Sequence, residues 1–113
     1  MATAIFVHDG NSIDYTPGAD VSAGDVVVQN DLVGIAKLDI ASGILGALAV
    51  TGVFDVPKTA GVGEAIAAGA EVYWDEGDQV AKTDDESGAN KKLGKTIAAA
   101  GDDDATVRVR LSQ

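Results

Sequence analysis

A chain of 113 residues is about one ordinary domain and buries roughly two thirds of its unfolded surface, so it needs neither disulfides nor a metal to be stable. Cysteine is absent, which excludes a disulfide framework and a thiolate nucleophile. The net charge of −10 disfavours direct nucleic-acid binding, because an acidic surface repels phosphate backbones and no basic patch with interleaved aromatics is present.

The charge is unevenly placed. Residues 1–81 carry twelve acids against Lys37 and Lys58, whereas residues 82–113 carry six of each sign. Solubility and the approach to a basic partner account for the acidity equally well. The N-terminal run, residues 1–8, lacks the basic region of a signal peptide. The longest apolar stretch, residues 44–50, is too short and too rich in Gly and Ala to span a bilayer. The expectation is a soluble protein made in the cytoplasm, with no membrane partner.

Along the chain, short apolar runs of period two alternate with Gly-containing turns, which is the pattern of short strands. Residues 4–7 and 12–15 flank Asp9-Gly10 and are expected to form a hairpin. Val26-Val27-Val28 is a β-branched run bounded by Gly24-Asp25 and Asn30-Asp31. Residues 32–40 and 45–56 flank the Ser42-Gly43 turn; in the second, Leu48, Val50, Phe54 and Val56 share one face, interrupted by Gly52. Residues 63–68 read as a single helical turn ended by Gly69. Val72-Tyr73-Trp74 and residues 79–82 bracket the Glu76-Gly77 turn, and residues 84–92 read as a mobile polar loop. Residues 93–99 and 105–111 form the last pair. Here Ala105, Val107, Val109 and Leu111 point one way and Thr106, Arg108, Arg110 and Ser112 the other.

Residues 32–34 through Gly43 to residues 47–50 echo Leu93-Gly94 through Gly101 to residues 105–109. The general likeness of hairpins explains the echo better than a duplication does. The fold class expected is all-β, a small antiparallel β-barrel or sandwich of about eight to ten strands with one short helical turn. Closure or oligomerisation would hide its strand edges.

Motifs that carry chemistry are lacking. Leu93-Gly94-Lys95-Thr96 ends like a phosphate-binding loop, but position 89 is Ala where the loop needs Gly, and no helix follows to hold the anion. The clusters Asp75-Glu76-Gly77-Asp78 and Asp102-Asp103-Asp104 place acids consecutively, so they splay rather than converge on a cation, and solvated turns are expected. His8 is the single histidine, and no HExxH or H-x-E pattern accompanies it. Nothing marks an activated serine. No catalytic, cofactor-binding or metal-binding residue is therefore assigned, no cofactor is expected, and a non-enzymatic protein is. A hydrolase using paired carboxylates stands as a remote reading. A small β-barrel binding module for a carbohydrate or peptide, with a pocket near Tyr73 and Trp74, is the main rival reading; that pair is more often core or interface.

Three segments taken together are more specific than any one: Gly52-Val53-Phe54-Asp55-Val56-Pro57-Lys58, Ala67-Ala68-Gly69-Ala70-Glu71-Val72-Tyr73-Trp74-Asp75 and Val107-Arg108-Val109-Arg110-Leu111. With Ala23-Gly24-Asp25-Val26 and Leu32-Val33-Gly34 before them, the chain resembles, in order and over nearly its full length, the capsid cement or decoration proteins of tailed bacteriophages, the group catalogued as DUF2190. The acidic turn Asp102-Asp103-Asp104 departs from that pattern and bears on surface character rather than on fold.

The resemblance implies a single domain over residues 1–113 that binds the outer surface of an expanded capsid and reinforces it, usually as a homotrimer, with the major capsid protein as partner. It implies a virion protein made in the host cytoplasm, and no catalytic motif to carry over. Residues 1–4, with Ala2, Thr3 and Ala4 as contact candidates, are expected to form an N-terminal arm able to add a strand to a capsid-protein edge. Arg108 and Arg110 are expected to pair with acids of a neighbouring subunit or of the capsid protein, since the planar guanidinium binds carboxylates bidentately; two solvated charges is an equal alternative.

Overall fold

The computed structural model describes residues 3–112, so Met1 and the arm candidate Ala2 lie outside the described residues. The period-two runs become nine short strands: β1 (Ser12–Tyr15), β2 (Val26–Gln29), β3 (Leu32–Ala36), β4 (Gly46–Ala49), β5 (Val53–Pro57), β6 (Glu71–Asp75), β7 (Val80–Lys82), β8 (Lys91–Thr96) and β9 (Thr106–Leu111). They form two antiparallel sheets, β1-β4-β3-β2 and β5-β9-β8-β6-β7. The fold is all-β and sandwich-like, with neither sheet closed into a barrel. The second sheet curls until its edges touch at one parallel bridge, Lys58 to Ala81. Pro57, which has no N–H to donate, sits on the edge strand β5 where the loss is tolerated.

Burial follows the alternation. On β9, Val107, Val109 and Leu111 are buried while Thr106, Arg108 and Arg110 are exposed. They join Val56, Ile66, Val72, Trp74, Ala81, Leu93 and Ala100 in the main core. A smaller core is built on Ala36, Ile40 and Leu48, with Ile13, Tyr15, Val21 and Val27 packed against it. Strand β3 links the two. Val33 and Ile35 belong to the main core and Ala36 to the smaller one, so β3 is buried on both faces.

Several expectations are corrected. Residues 4–7 are in no strand, and β1 pairs with β4 because that places Ile13 opposite Leu48 in the smaller core. The expected strand over residues 45–56 is two strands in different sheets. Gly52, with φ +115°, turns the chain from one sheet to the other, so Leu48 and Val56 face different cores. Residues 63–68 form no helix. Ile66 instead exchanges both backbone hydrogen bonds with Ala100, at 2.9 and 2.8 Å, which seats its side chain in the core. The helical turn is a 3₁₀ turn at Glu86–Gly88, inside the polar 84–92 segment. There the Asn90 side chain donates to the Asp84 carbonyl (2.9 Å) and the Asn90 N–H to the Asp85 carbonyl (2.9 Å).

The echo between the halves is much deeper than hairpin likeness. Without β7, both sheets have the same order, and their registers coincide except beyond Val72, where a bulge shifts β6 on β8. Ser12, Ile13, Asp14 and Tyr15 face Ala49, Leu48, Ala47 and Gly46, just as Val53, Phe54, Asp55 and Val56 face Arg110, Val109, Arg108 and Val107. Val27 faces Gly34 as Val72 faces Gly94, and Ile35 faces Ala49 as Lys95 faces Arg110. The irregular parts repeat too. Val21 bridges Ile40 as Ile66 bridges Ala100, and the N–H groups of Gly24 and Gly69, both at positive φ, donate to the carbonyls of Ala36 and Thr96. The chain is an internal duplication of a four-stranded unit, with β7 and the 3₁₀ turn inserted only in the second copy.

The equivalent glycines explain one shared constraint. A Cβ on Gly34 would lie 2.8 Å from the Leu48 Cβ, and one on Gly94 would overlap the Arg110 carbonyl oxygen. Gly94 also adjoins a bulge: Val72 faces Gly94 and Tyr73 faces Lys92, which leaves Leu93 as the extra residue, fully buried. Gly94→Ala is therefore expected to lower stability by roughly 1–3 kcal/mol or more, since backbone cannot move aside as a side-chain end can. Gly18→Ala, where a Cβ meets nothing within 4 Å, should stay within about 0.5 kcal/mol of wild type. Urea midpoints of the two variants compare them directly.

Candidate interaction surfaces

The polar groups that sequence alone offers as ligands are mostly occupied inside the chain. Thr96, at the end of the false phosphate loop, lies in β8 with its hydroxyl donating to the Ala67 carbonyl (2.6 Å) and accepting from the Ala70 N–H (3.0 Å). Asp75 and Asp78 both grip the Lys82 ammonium, at 2.7 and 2.8 Å, and Asp75 also accepts from the Asp78 N–H. Lys82 and the Asp78 N–H hold the Asp75 carboxyl below the ordinary carboxylate range, and the two acids push Lys82 above the ordinary lysine range. In the second acidic turn, Asp102 accepts from the Ala65 N–H and Asp104 from the Gly101 N–H. Among the described residues no His, Asp or Glu cluster has the geometry to hold a metal ion.

Lys58 is the most constrained of these groups. Its side chain is buried, and its ammonium donates to the carbonyls of Thr59 (2.8 Å), Asp104 (2.9 Å), Gly101 (3.0 Å) and Asp102 (3.4 Å). The ammonium thus occupies a ring of backbone oxygens and ties the end of β5 to the turn that precedes β9. Sequence reading missed it, although Pro57-Lys58 at a strand end, in a half almost devoid of bases, was a signal.

Tyr73 and Trp74 do not form a shared platform. Adjacent strand residues face opposite sides, and Trp74 is in the core at 2% exposure while Tyr73 is half-buried. The indole N–H of Trp74 has no hydrogen-bond partner among the described residues. This removes the ring pair on which a carbohydrate-binding module would depend.

Two surfaces stay unsatisfied. The first is apolar. Leu38, Ile44 and Leu45 are exposed around a groove of about 290 Å³ whose lining includes Ser12 and Ile40. In the second half the equivalent positions carry Ala98, Asp104 and Ala105, so this patch is specific to the first half. Ser12 begins β1, so the N-terminal segment leaves the fold beside this groove. Thr3 and Ala4 are exposed, and beyond them Ile5, Phe6 and Val7 are 86%, 80% and 81% exposed with no regular structure. Three consecutive large apolar residues in solvent are unusual for an isolated soluble chain.

The second surface is the outer face of the β5-β9-β8-β6 sheet. Arg108 faces Asp55 across the ladder and binds it with two nitrogens, at 2.9 and 3.2 Å. The Arg108 guanidinium holds the Asp55 carboxyl below its usual range. The Arg108 carboxylate partner is therefore in its own chain. Arg110 faces Val53 on one side and Lys95 on the other. Like charges placed directly opposite destabilise a sheet, and among the described residues neither cation has an ion-pair partner. Glu71, opposite Lys95, is paired with Lys92 at 2.9 Å. Sequence reasoning singled out Arg110 but not Lys95, because the ladder register that pairs them is a tertiary fact.

The candidate ligand groups are thus mostly held within the chain, while the exposed apolar groups and the Arg110–Lys95 pair lie on its outside. The chain belongs to the phage cement protein family, whose family model matches residues 7–111. No curated protein and no solved structure matches it significantly. Membership gives it a structural role in stabilising a phage capsid, as part of the virion. No helix among the described residues is long and apolar enough to cross a membrane.

Two expectations follow. Replacing Lys58 with Met removes the ammonium that joins the end of β5 to the 101–104 turn and should lower stability by about 1–3 kcal/mol, measured by urea unfolding. Asp75 and Asp55 titrate below their unfolded values, so their stabilisation is complete above about pH 5 and is lost as pH falls through the folded values. Thermal midpoints from pH 6 to pH 3 should therefore fall, and Asp75→Asn should fall less steeply than wild type.

Proposed function

We propose that the protein binds the outer surface of the expanded capsid, with the major capsid protein as its partner, and works there as a homotrimer. The observation that carries the reading is the pairing of an apolar groove, around Leu38, Ile44 and Leu45, with an N-terminal arm that starts beside it at Ser12. Both belong to the same end of the first half, so one surface can press on the shell while residues 1–4 reach a capsid-protein strand edge. The Arg110–Lys95 pair, basic within an acidic chain, is the site for a carboxylate of a neighbouring subunit or of the capsid protein.

Cementing needs no single strong site. Several modest contacts made at once on adjoining capsomers combine by effective concentration, and the multiplicity rather than any one contact resists expansion of the shell. The family membership supports the capsid role, and the absence of a shared aromatic platform weighs against the binding-module reading.

Mixing purified protein with expanded capsids and measuring co-sedimentation tests the proposal. Wild type should bind stoichiometrically and raise the temperature at which the capsids open. Burying one leucine contributes about 1.5–3 kcal/mol, so Leu38→Asp with Leu45→Asp should weaken binding by at least roughly tenfold. Deletion of residues 1–4 and the Arg108→Ala, Arg110→Ala double variant should each weaken it. Undiminished binding by the leucine variant would discard the groove as the capsid-facing surface.

A further inference from the structure

The duplication shows what the first half lacks. In the second half the outer edge of β6 is covered by β7, where Ala81 faces Trp74, is buried, and bridges back to Lys58. The counterpart of β6 in the first half is β2, and the order β1-β4-β3-β2 leaves β2 as an edge with no such strand. In place of β7 there is a groove of about 350 Å³, lined by Tyr15, Pro17, Val21, Val26 and Val28 among others. These are the counterparts of Val56, Lys58, Ile66, Glu71 and Tyr73 in the second half, where Lys58 bridges Ala81 of β7 and Tyr73 faces Lys82. The groove is the vacant equivalent of an occupied strand position.

The edge is chemically ready for a strand. The Ala36 N–H donates to the Asp25 carbonyl, so in the alternating ladder Val27 and Gln29 bond inward to β3. That directs the N–H and C=O groups of Val26 and Val28 outward, where they have no partner among the described residues. An unpaired edge beside a groove floored by Val21, Val26 and Val28 and rimmed by acids is a template for strand addition.

We infer that the β2 edge is the docking site for Ile5–Val7 of a second copy of this chain, added antiparallel as β7 is added to β6. Three observations favour this occupant. Ile5, Phe6 and Val7 match the three-residue length of Val80–Lys82 and have the side chains suited to a strand, yet they cover nothing on their own chain. The groove is rimmed by Asp20, Asp25 and Glu76, and residues 3–8 bring three exposed large apolar residues and no acid to such a rim. The arm also joins its own fold at Ser12 on β1, the opposite edge of the sheet from β2, so a neighbouring copy's groove completes an exchange. The family match covers only Val7 of this segment, and the inference stands without the capsid reading.

The test uses the purified full chain without capsid. Because cysteine is absent, Ala4→Cys with Gln29→Cys places two unique thiols beside the arm and the edge, leaving Ile5–Val7 intact. A short bis-maleimide should give covalent dimers and larger species from the double variant and much less from either single variant. Deleting residues 3–7, which touches no core residue, should raise the dissociation constant of self-association at least tenfold by sedimentation equilibrium. Val28→Pro, which removes an outward N–H but no ladder bond, should do the same with the far-UV circular dichroism retained. A wild-type chain that stays monomeric, a double variant cross-linked only within one chain, or association unchanged by the deletion overturns the inference.

Discussion

The close approach of the neighbouring strand, through the Leu48 side chain at Gly34 and the Arg110 backbone at Gly94, is the constraint on which both halves depend. Each glycine sits in the inner strand of its sheet, where the neighbouring strand runs too near to admit a Cβ. That approach sets the register of β3 on β4 and of β8 on β9. The edge strands β1 and β5 then inherit their pairing from β4 and β9, and the buried face of each sheet follows from the register. A one-residue slip would expose Val107, Val109 and Leu111 and bury Arg108 and Arg110. The same constraint, met twice at equivalent positions, is strong evidence that the halves descend from one unit.

The halves have diverged where they meet solvent and partners. The second half alone carries β7, the 3₁₀ turn and the Lys58 clamp; Ala81 of β7 joins the larger core and bridges to Lys58. Lys58 serves there as a fixed internal cation. It gathers four carbonyls of the Thr59 and 101–104 segments, two of which, those of Gly101 and Asp102, also accept backbone N–H groups, while the acidic side chains of the same turn bond N–H groups at its base. The first half kept the simpler unit, with a small core, an open β2 edge and the exposed leucines at its loop tips. The larger core thus lies mainly in the second half, and the exposed leucines and the open β2 edge lie in the first.

Much of the fold was legible in the chain. The β6–β7 and β8–β9 hairpins follow from turn signals flanked by alternating residues, and the inward set of β9 could be named residue by residue. The features that failed share one cause. Residues 4–7 have the composition of a strand, but no core face lies within their reach. Residues 63–68 contain good helix formers, yet pairing Ile66 with Ala100 buries an isoleucine, and tertiary contact overrode a weak local preference. Gly52 was visible as an interruption, but only the structure reveals that it divides two sheets. Of the candidate contact residues, Arg108 and Arg110 were legible as outward-facing; Lys95, Leu38 and Leu45 were not.

Composition and alternation by themselves determined an all-β, cysteine-free, acidic chain without catalytic motifs, because strand periodicity and missing functional groups are local properties that a linear sequence displays. The partnership of Arg108 with Asp55, the juxtaposition of Arg110 and Lys95, the four carbonyls around Lys58 and the vacant place beside β2 were decided by tertiary structure alone. Each depends on which strand lies next to which and in what register, and that is settled by packing between residues as distant in the chain as Val53 and Arg110.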